Sequence, residues 1–256
     1  MTNQGDKAKK LSDLSFDKFK ELAQDESLSR YEKIGFFNEL REGKEELIWN
    51  DLLQKLPVLN TRGVHVLDIG PGCSDLPHLF LNHAKKLDQH VWLIDSKEML
   101  DNLPSDSFIS KCPAMFPNET SSWVDEHQST FQAIIVYSVV HYIAMESSLL
   151  VFIDEISKLL APGGMAIIAD IPNASKRNRF FSSPAGIRFH QERNQTQDLP
   201  VVHWNKLQPG EMDDSAVFAM MQRARANGLE SYLLPQAPEL PMGNRREDLL
   251  IIKHES

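Results

Sequence analysis

The stretch Val64-His65-Val66-Leu67-Asp68-Ile69-Gly70-Pro71-Gly72-Cys73-Ser74-Asp75 decides how this chain is read. Its first six residues are a largely apolar run of strand length. The glycines that follow let the backbone turn sharply and approach a ligand where a Cβ would collide. Leu76, Leu79, Phe80 and Leu87 then recur on one side of a helix, and Val91-Trp92-Leu93-Ile94-Asp95 is the next strand. Together they make a βαβ unit of the usual size, roughly 30 residues. A helix that starts directly after such a turn offers unpaired amides to whatever sits there.

The residues around the turn restrict the ligand. A dinucleotide fingerprint has a third glycine, whereas Asp75 stands at that position and its carboxylate would repel a pyrophosphate. Asp68, at the end of the first strand, suits a ligand that carries an ammonium. Asp95, at the end of the second strand, can accept both ribose hydroxyls of an adenosine. Taken alone, Asp95 and Ser96 read equally well as helix caps.

Outward from this unit the alternation continues. A short strand lies near Phe108 to Lys111, Phe131 to Tyr137 is a nearly continuous apolar strand, and a helix from Glu146 to Leu160 ends at Ala161-Pro162-Gly163-Gly164. Met165 to Asp170 forms a fifth strand. An irregular stretch is expected from Ile171 to Glu211, followed by a helix begun by Asp213 or Asp214. Strands near Ser231 to Leu234 and Asp248 to Lys253 close the chain. Such alternation specifies an α/β doubly wound fold, in which ligands bind at the carboxyl ends of the strands. Residues 1–60 read as an N-terminal helical cap and 61–256 as the α/β domain. Tyr31, Phe36, Phe37 and Trp49 are available to close a pocket or to serve as core.

In their order these motifs resemble the Rossmann-like (class I) S-adenosylmethionine-dependent methyltransferases. The glycine loop is similar to that family's first motif, Asp95-Ser96 with Met99-Leu100 to its second, Phe131 to Ile135 to its fourth strand, and Leu159 to Gly164 to the turn before its fifth. The resemblance implies a seven-stranded, mostly parallel sheet whose last strand is antiparallel, and S-adenosylmethionine as cofactor. It places Gly70, Pro71 and Gly72 beside the methionine part, Asp95 and Ser96 at the ribose and Met99 against adenine. Many relatives follow the third strand with an acid that contacts the adenine amine. This chain has Cys112-Pro113-Ala114-Met115 instead, so the adenine wall falls to Ala114 and Met115. Asp68 and Tyr137 complete the expected cofactor set.

Methyl transfer is a direct displacement, so positioning supplies much of it, and an oxygen nucleophile also needs a base. The candidates are His141, Asp170 and His190. Tyr142, Lys176, Arg177, Arg179 and Arg188 are candidates for binding a small anionic acceptor, such as a sugar or phosphorylated metabolite, with O-methylation expected. Arg245 and Arg246 read as structural or surface residues. The alternatives are an NAD-dependent oxidoreductase and a non-catalytic binder of the same cofactor.

Composition narrows the partners. A net charge of −9 argues against general nucleic-acid binding. The two cysteines, Cys73 and Cys112, fit neither a disulfide framework nor a zinc site, and the histidines lack metal-ligand spacing, so no metal is expected. No run approaches the roughly 20 apolar residues of a membrane helix. Met1 to Lys10 lacks the apolar core of a secretory signal and reads as a frayed tail, so a cytoplasmic protein is expected. Homo-oligomerisation is left open.

Overall fold

The computed structural model describes residues 14–204, 206–207 and 211–255, so the expected tail at Met1 to Lys10 lies outside the described residues. Four helices come first: α1 (Phe16–Gln24), α2 (Arg30–Lys33), α3 (Asn38–Arg41) and α4 (Glu45–Lys55). The alternating part then runs β1 (His65–Ile69), α5 (Asp75–Lys86), β2 (His90–Asp95), α6 (Lys97–Leu100), β3 (Ile109–Pro113), α7 (Ser121–Glu126) and β4 (Phe131–Tyr137). It continues through α8 (Val140–Glu146), α9 (Leu149–Leu159), β5 (Leu160–Pro172), α10 (Ala174–Phe181) and α11 (Pro184–Asn194). The last elements are α12 (Asp214–Ala226), β6 (Glu230–Pro235) and β7 (Arg246–Ile252).

One seven-stranded sheet results, in the order β3-β2-β1-β4-β5-β7-β6. Strands β1 to β5 are parallel to one another, and β7 is antiparallel to both β5 and β6. The strand order reverses between β1 and β4, which are direct neighbours. Chain connections leave this point in opposite directions, and a crevice opens at the strands' carboxyl ends.

The apolar runs of β4 and β5 serve two cores at once. Ile134, Val136, Ala166 and Ile168 pack on one face with Phe152, Ile156, Val217 and Met220 of α9 and α12. Ala133, Ile135, Ile167 and Ala169 pack on the other with Ile48, Leu52, Phe80 and Ala84 of α4 and α5. The alternation follows from the two-residue period of a strand, and coverage of both faces explains the unbroken apolar sequence.

The stretch from Ile171 to Glu211 departs from the expected irregular loop. β5 extends to Pro172, and α10 and α11 occupy much of the rest. Residues that suggested a loop are caps here. The Asn173 side chain accepts the Lys176 N–H, and Ser183 accepts the Gly186 N–H directly before Pro184 at the first turn of α11.

A buried acid fastens the first helices to the sheet. Asp248 of β7 accepts the Asp170 N–H at 2.8 Å and Gln236 Nε2 at 3.0 Å, and it pairs with Lys55 Nζ of α4 at 2.6 Å. Its side chain is fully buried, so its removal leaves the Asp170 N–H and the Gln236 amide without their acceptor and takes one of the two carboxylates of Lys55. Asp248→Ala is expected to cost about 3–5 kcal/mol in urea unfolding. Asp51→Ala, which removes only the second partner of Lys55, is expected to cost clearly less.

Candidate functional site

A cleft lies at the carboxyl ends of β1, β2 and β4, where the sheet order reverses. Its floor is Asp68, Ile69 and the Gly70-Pro71-Gly72 turn; Asp95, Met99, Ala114 and Met115 form one wall, and Tyr137, Ser138, Val139 and Tyr142 another. The roof comes from the N-terminal helices and their connections, through Phe16, Phe19, Ile34, Phe36, Arg41 and Glu45, with Trp49 beside them.

The turn glycines have left-handed backbones, with φ of +71° at Gly70 and +64° at Gly72. A Cβ on Gly70 would lie 2.6 Å from Val139 Cγ2, and one on Gly72 would lie 2.7 Å from Ile34 Cγ2. The glycines therefore let the segment after β4 and the roof come down onto the loop. The Gly72 N–H donates to Asp95 Oδ2 at 3.1 Å and the Ser96 N–H to Oδ1 at 2.7 Å, which fixes Asp95 across the turn. Burial raises the Asp95 carboxyl to about 6, against these two hydrogen bonds.

Asp68 has no such support. It is 6% exposed, it lines the cleft, and no hydrogen bond or ion pair reaches its carboxylate among the described residues. Burial, and secondarily the neighbouring Asp95 charge, raise it to about 8. A cation placed beside it in the cleft would restore the ionised form.

Of the other expected cofactor residues, Met99 lines the cleft and is 2% exposed. Ser96 does not line it; its hydroxyl accepts the Met99 N–H at 3.2 Å and caps α6. The Ala114 N–H donates to the Asp95 carbonyl, and the Met115 N–H to Glu119 Oε2. Both amides are thus engaged within the chain. Tyr137 lines the cleft and accepts from Arg41 Nη1 at 3.1 Å.

Arg41 is the residue that sequence reasoning missed. It is 4% exposed, and its Nη2 reaches Asp170 Oδ2 at 2.6 Å and Ser138 Oγ at 3.2 Å. Its guanidinium lies between the Phe36 ring, at 4.2 Å, and the Tyr137 ring, at 5.2 Å. One charged residue in Glu39-Leu40-Arg41-Glu42 carries no sequence signal of burial. Asp75, read as a bar to pyrophosphate, also holds the roof to the start of α5, because it pairs with Arg30 and accepts the Tyr31 hydroxyl at 2.7 Å. Of the aromatics expected to close the pocket, Phe36 and Trp49 line it, Tyr31 holds Asp75, and Phe37 is 38% exposed.

None of the three candidate bases lines the cleft. Burial alone would raise the Asp170 carboxyl, but Arg246 and Arg41 outweigh it and keep the group ionised and paired. His141 is lowered to about 3 by burial and by Arg246, so it is neutral, and its Nδ1 has no partner. His190 lies on α11 within hydrogen-bonding distance of Asn194. The basic candidates also stand outside the lining. Lys176 donates to the Arg246 carbonyl at 2.6 Å, Arg179 is paired with Asp214 at 2.5 Å, and Arg188 lies on α11. Arg177 stacks on Phe181 at 5.4 Å. Tyr142 does line the cleft.

No family model matches this chain, and no curated protein does. Solved structures do. A SAM-dependent methyltransferase from Archaeoglobus fulgidus aligns with a TM-score of 0.51 at 13% identity, over 84% of this chain and 97% of that one. The N-methyltransferase NodS from Bradyrhizobium japonicum gives 0.53 at 15%, over 84% and 100%. The CurJ carbon methyltransferase gives 0.54 at 13%, over 99% and 68%. The chain has the fold of the class I SAM-dependent methyltransferases. That fold serves nitrogen and carbon acceptors alike, so it leaves the acceptor undetermined. No helix among the described residues is long and apolar enough to cross a membrane.

The state of Asp68 has a measurable consequence. Its folded pKa lies above its unfolded value, so between about pH 4 and about pH 8 the native state binds more protons, and the stability that Asp68 contributes is lost as pH rises. Asp68→Asn stays neutral throughout. Urea unfolding of the ligand-free protein should therefore show wild type losing stability relative to Asp68→Asn between about pH 4 and about pH 8, and no further loss above that. A constant difference would place the Asp68 titration elsewhere.

Proposed function

We propose that the chain is an S-adenosylmethionine-dependent methyltransferase acting on a small acceptor held between the sheet and the N-terminal helices. The carrying observation is Asp68, a buried carboxylate that lines the cleft at the glycine turn and has no partner among the described residues. Its position suits the ammonium of the cofactor's amino-acid part. The remaining lone pairs of Asp95 suit the ribose hydroxyls, and Met99 with Ala114 suits the adenine. When bound, the cofactor supplies a methyl group on a sulfonium.

This chain's own residues do the positioning. The roof excludes water, and the hydroxyls of Tyr137, Ser138 and Tyr142 border the space beyond β4. With Asp170 committed to Arg41 and Arg246, and Asp68 and Asp95 given to the cofactor, the further buried carboxylate in the lining is Glu45 of α4, 7% exposed and facing the Tyr31 hydroxyl. We assign it as the base for an oxygen nucleophile, in keeping with O-methylation of a sugar or phosphorylated metabolite. We place the boundary of the cap near residue 60, where a 3-10 turn, Pro57–Asn60, leads toward β1. An NAD-dependent oxidoreductase fits less well, because Asp75 keeps its carboxylate at the place of the third glycine.

Calorimetry with S-adenosylhomocysteine and with NAD separates these readings: binding of the first and not the second is expected. Asp95→Ala removes the ribose acceptor and should weaken S-adenosylhomocysteine by about 1–3 kcal/mol. Gly72→Val drives a branched side chain into Ile34 and should weaken it at least as much while the melting transition stays cooperative. Equal affinity in both folded variants would remove the site as described. Release of S-adenosylhomocysteine from S-adenosylmethionine in metabolite extracts, lost in Glu45→Gln with cofactor affinity retained, is expected of an enzyme and not of a binder.

A further inference from the structure

Three arginines converge beside the outer end of β5. The guanidinium carbons of Arg177, on α10, and Arg245, just before β7, lie over the same Phe181 ring, 5.4 Å and 5.9 Å from its centre. Arg193, on α11, lies 6.0 Å from the centre of Phe189, whose ring is 6.3 Å from Phe181. None of the three makes an ion pair among the described residues, although the chain carries nine excess negative charges. Several arginines elsewhere take carboxylates, Arg30 with Asp75, Arg62 with Asp88, Arg179 with Asp214 and Arg223 with Asp154, while Arg225 is held by the Ser231 hydroxyl and carbonyl.

The neighbouring Arg246 joins this cluster to the cleft. Its Nη1 is 3.6 Å from Asp170 Oδ2, the oxygen that Arg41 reaches from the cleft side at 2.6 Å. Two buried guanidiniums thus share one carboxylate. Arg245 is half-buried, and burial, followed by Arg193, Arg246 and Arg177, lowers its pKa. Arg177 and Arg193 are exposed, so the desolvation falls on Arg245; like charges gathered around it raise the free energy of the empty site, and an anion seated among them offsets that cost.

We propose that Arg177, Arg193 and Arg245 form a phosphate-binding site on the Phe181–Phe189 platform, and that the methyl acceptor carries this phosphate. The second half of the proposal rests on the methyltransferase reading above. Planar guanidiniums bind phosphate oxygens through paired N–H donors, and several converging forks match a dianion better than a single carboxylate. The patch is confined to a few residues of an acidic chain, which favours a small phosphorylated molecule over a nucleic-acid strand.

The test is calorimetric titration of the full chain with inorganic pyrophosphate at low salt. Saturable binding is expected in wild type and in Arg188→Ala. The surface double variant Arg177→Ala/Arg193→Ala and the single variant Arg245→Gln should each weaken it by roughly tenfold or more. S-adenosylhomocysteine affinity should be the same in all four proteins, which also reports that each is folded. Absence of saturable binding, or equal affinity in wild type and the double variant, would overturn the site. Tighter binding of a short single-stranded RNA, lost in the same variants, would overturn the assignment to a small phosphate. If pyrophosphate behaves as expected but S-adenosylhomocysteine fails to bind, the phosphate site stands and the methyltransferase reading falls.

Discussion

Asp68 is a carboxylate that the fold buries without giving it a cation. Parallel strands β1 and β2 end side by side, so their terminal acids, Asp68 and Asp95, are brought close together in the same crevice. Asp95 is steadied by two backbone N–H groups, whereas Asp68 has none. Burying an unpaired carboxylate is costly, and the protein meets the cost by holding it protonated near neutral pH. A site that is strained in this way when empty relaxes when a cationic ligand arrives. The glycine turn, the reversal of strand order and the roof all act on this one place.

The roof depends on a second buried pair. Arg41–Asp170 is almost wholly withdrawn from water, with side chains 5% and 0% exposed, whereas Arg30–Asp75 is far more open. The exposed pair adds little stability. The buried pair is better understood as fixing where the N-terminal helices dock, since Arg41 fits only between Phe36, Tyr137 and Ser138. The backbone of Asp170 is held in place for this pairing, with a φ of +58° and its N–H bound by Asp248. The sheet, the roof and the basic cluster beyond Arg246 therefore meet at one side chain.

How much of this the sequence displays varies with the physics of each part. The sheet was legible because a strand buried on both faces has to be apolar throughout, as in Phe131 to Tyr137, and because the glycine turn announces itself. The β1–β2 side of the cleft was legible because Asp68, Asp95 and Met99, which stand at fixed offsets from that turn, do come together in its lining. The acceptor side was not. Its residues come from α3, α4 and the loops between short helices, which have no period to read, and a buried Arg41 looks like any surface arginine. The basic residues after β5 misled in an instructive way. Charge density alone does not tell these cations apart: only three-dimensional pairing separates Arg179, bonded to Asp214, from Arg177, Arg193 and Arg245, which make no ion pair among the described residues. The helices inside the expected irregular stretch begin at Asn173 and Ser183, whose side-chain chemistry serves a cap and a turn equally.

The central claim is that the cofactor's ammonium replaces a proton on Asp68. Calorimetry of S-adenosylhomocysteine binding at neutral pH, repeated in buffers of different ionisation enthalpy, counts the protons released directly. The account predicts release of about one proton per ligand by wild type and a value near zero for Asp68→Asn, with weaker binding. Proton-independent binding by wild type, with the same affinity in Asp68→Asn, would contradict it.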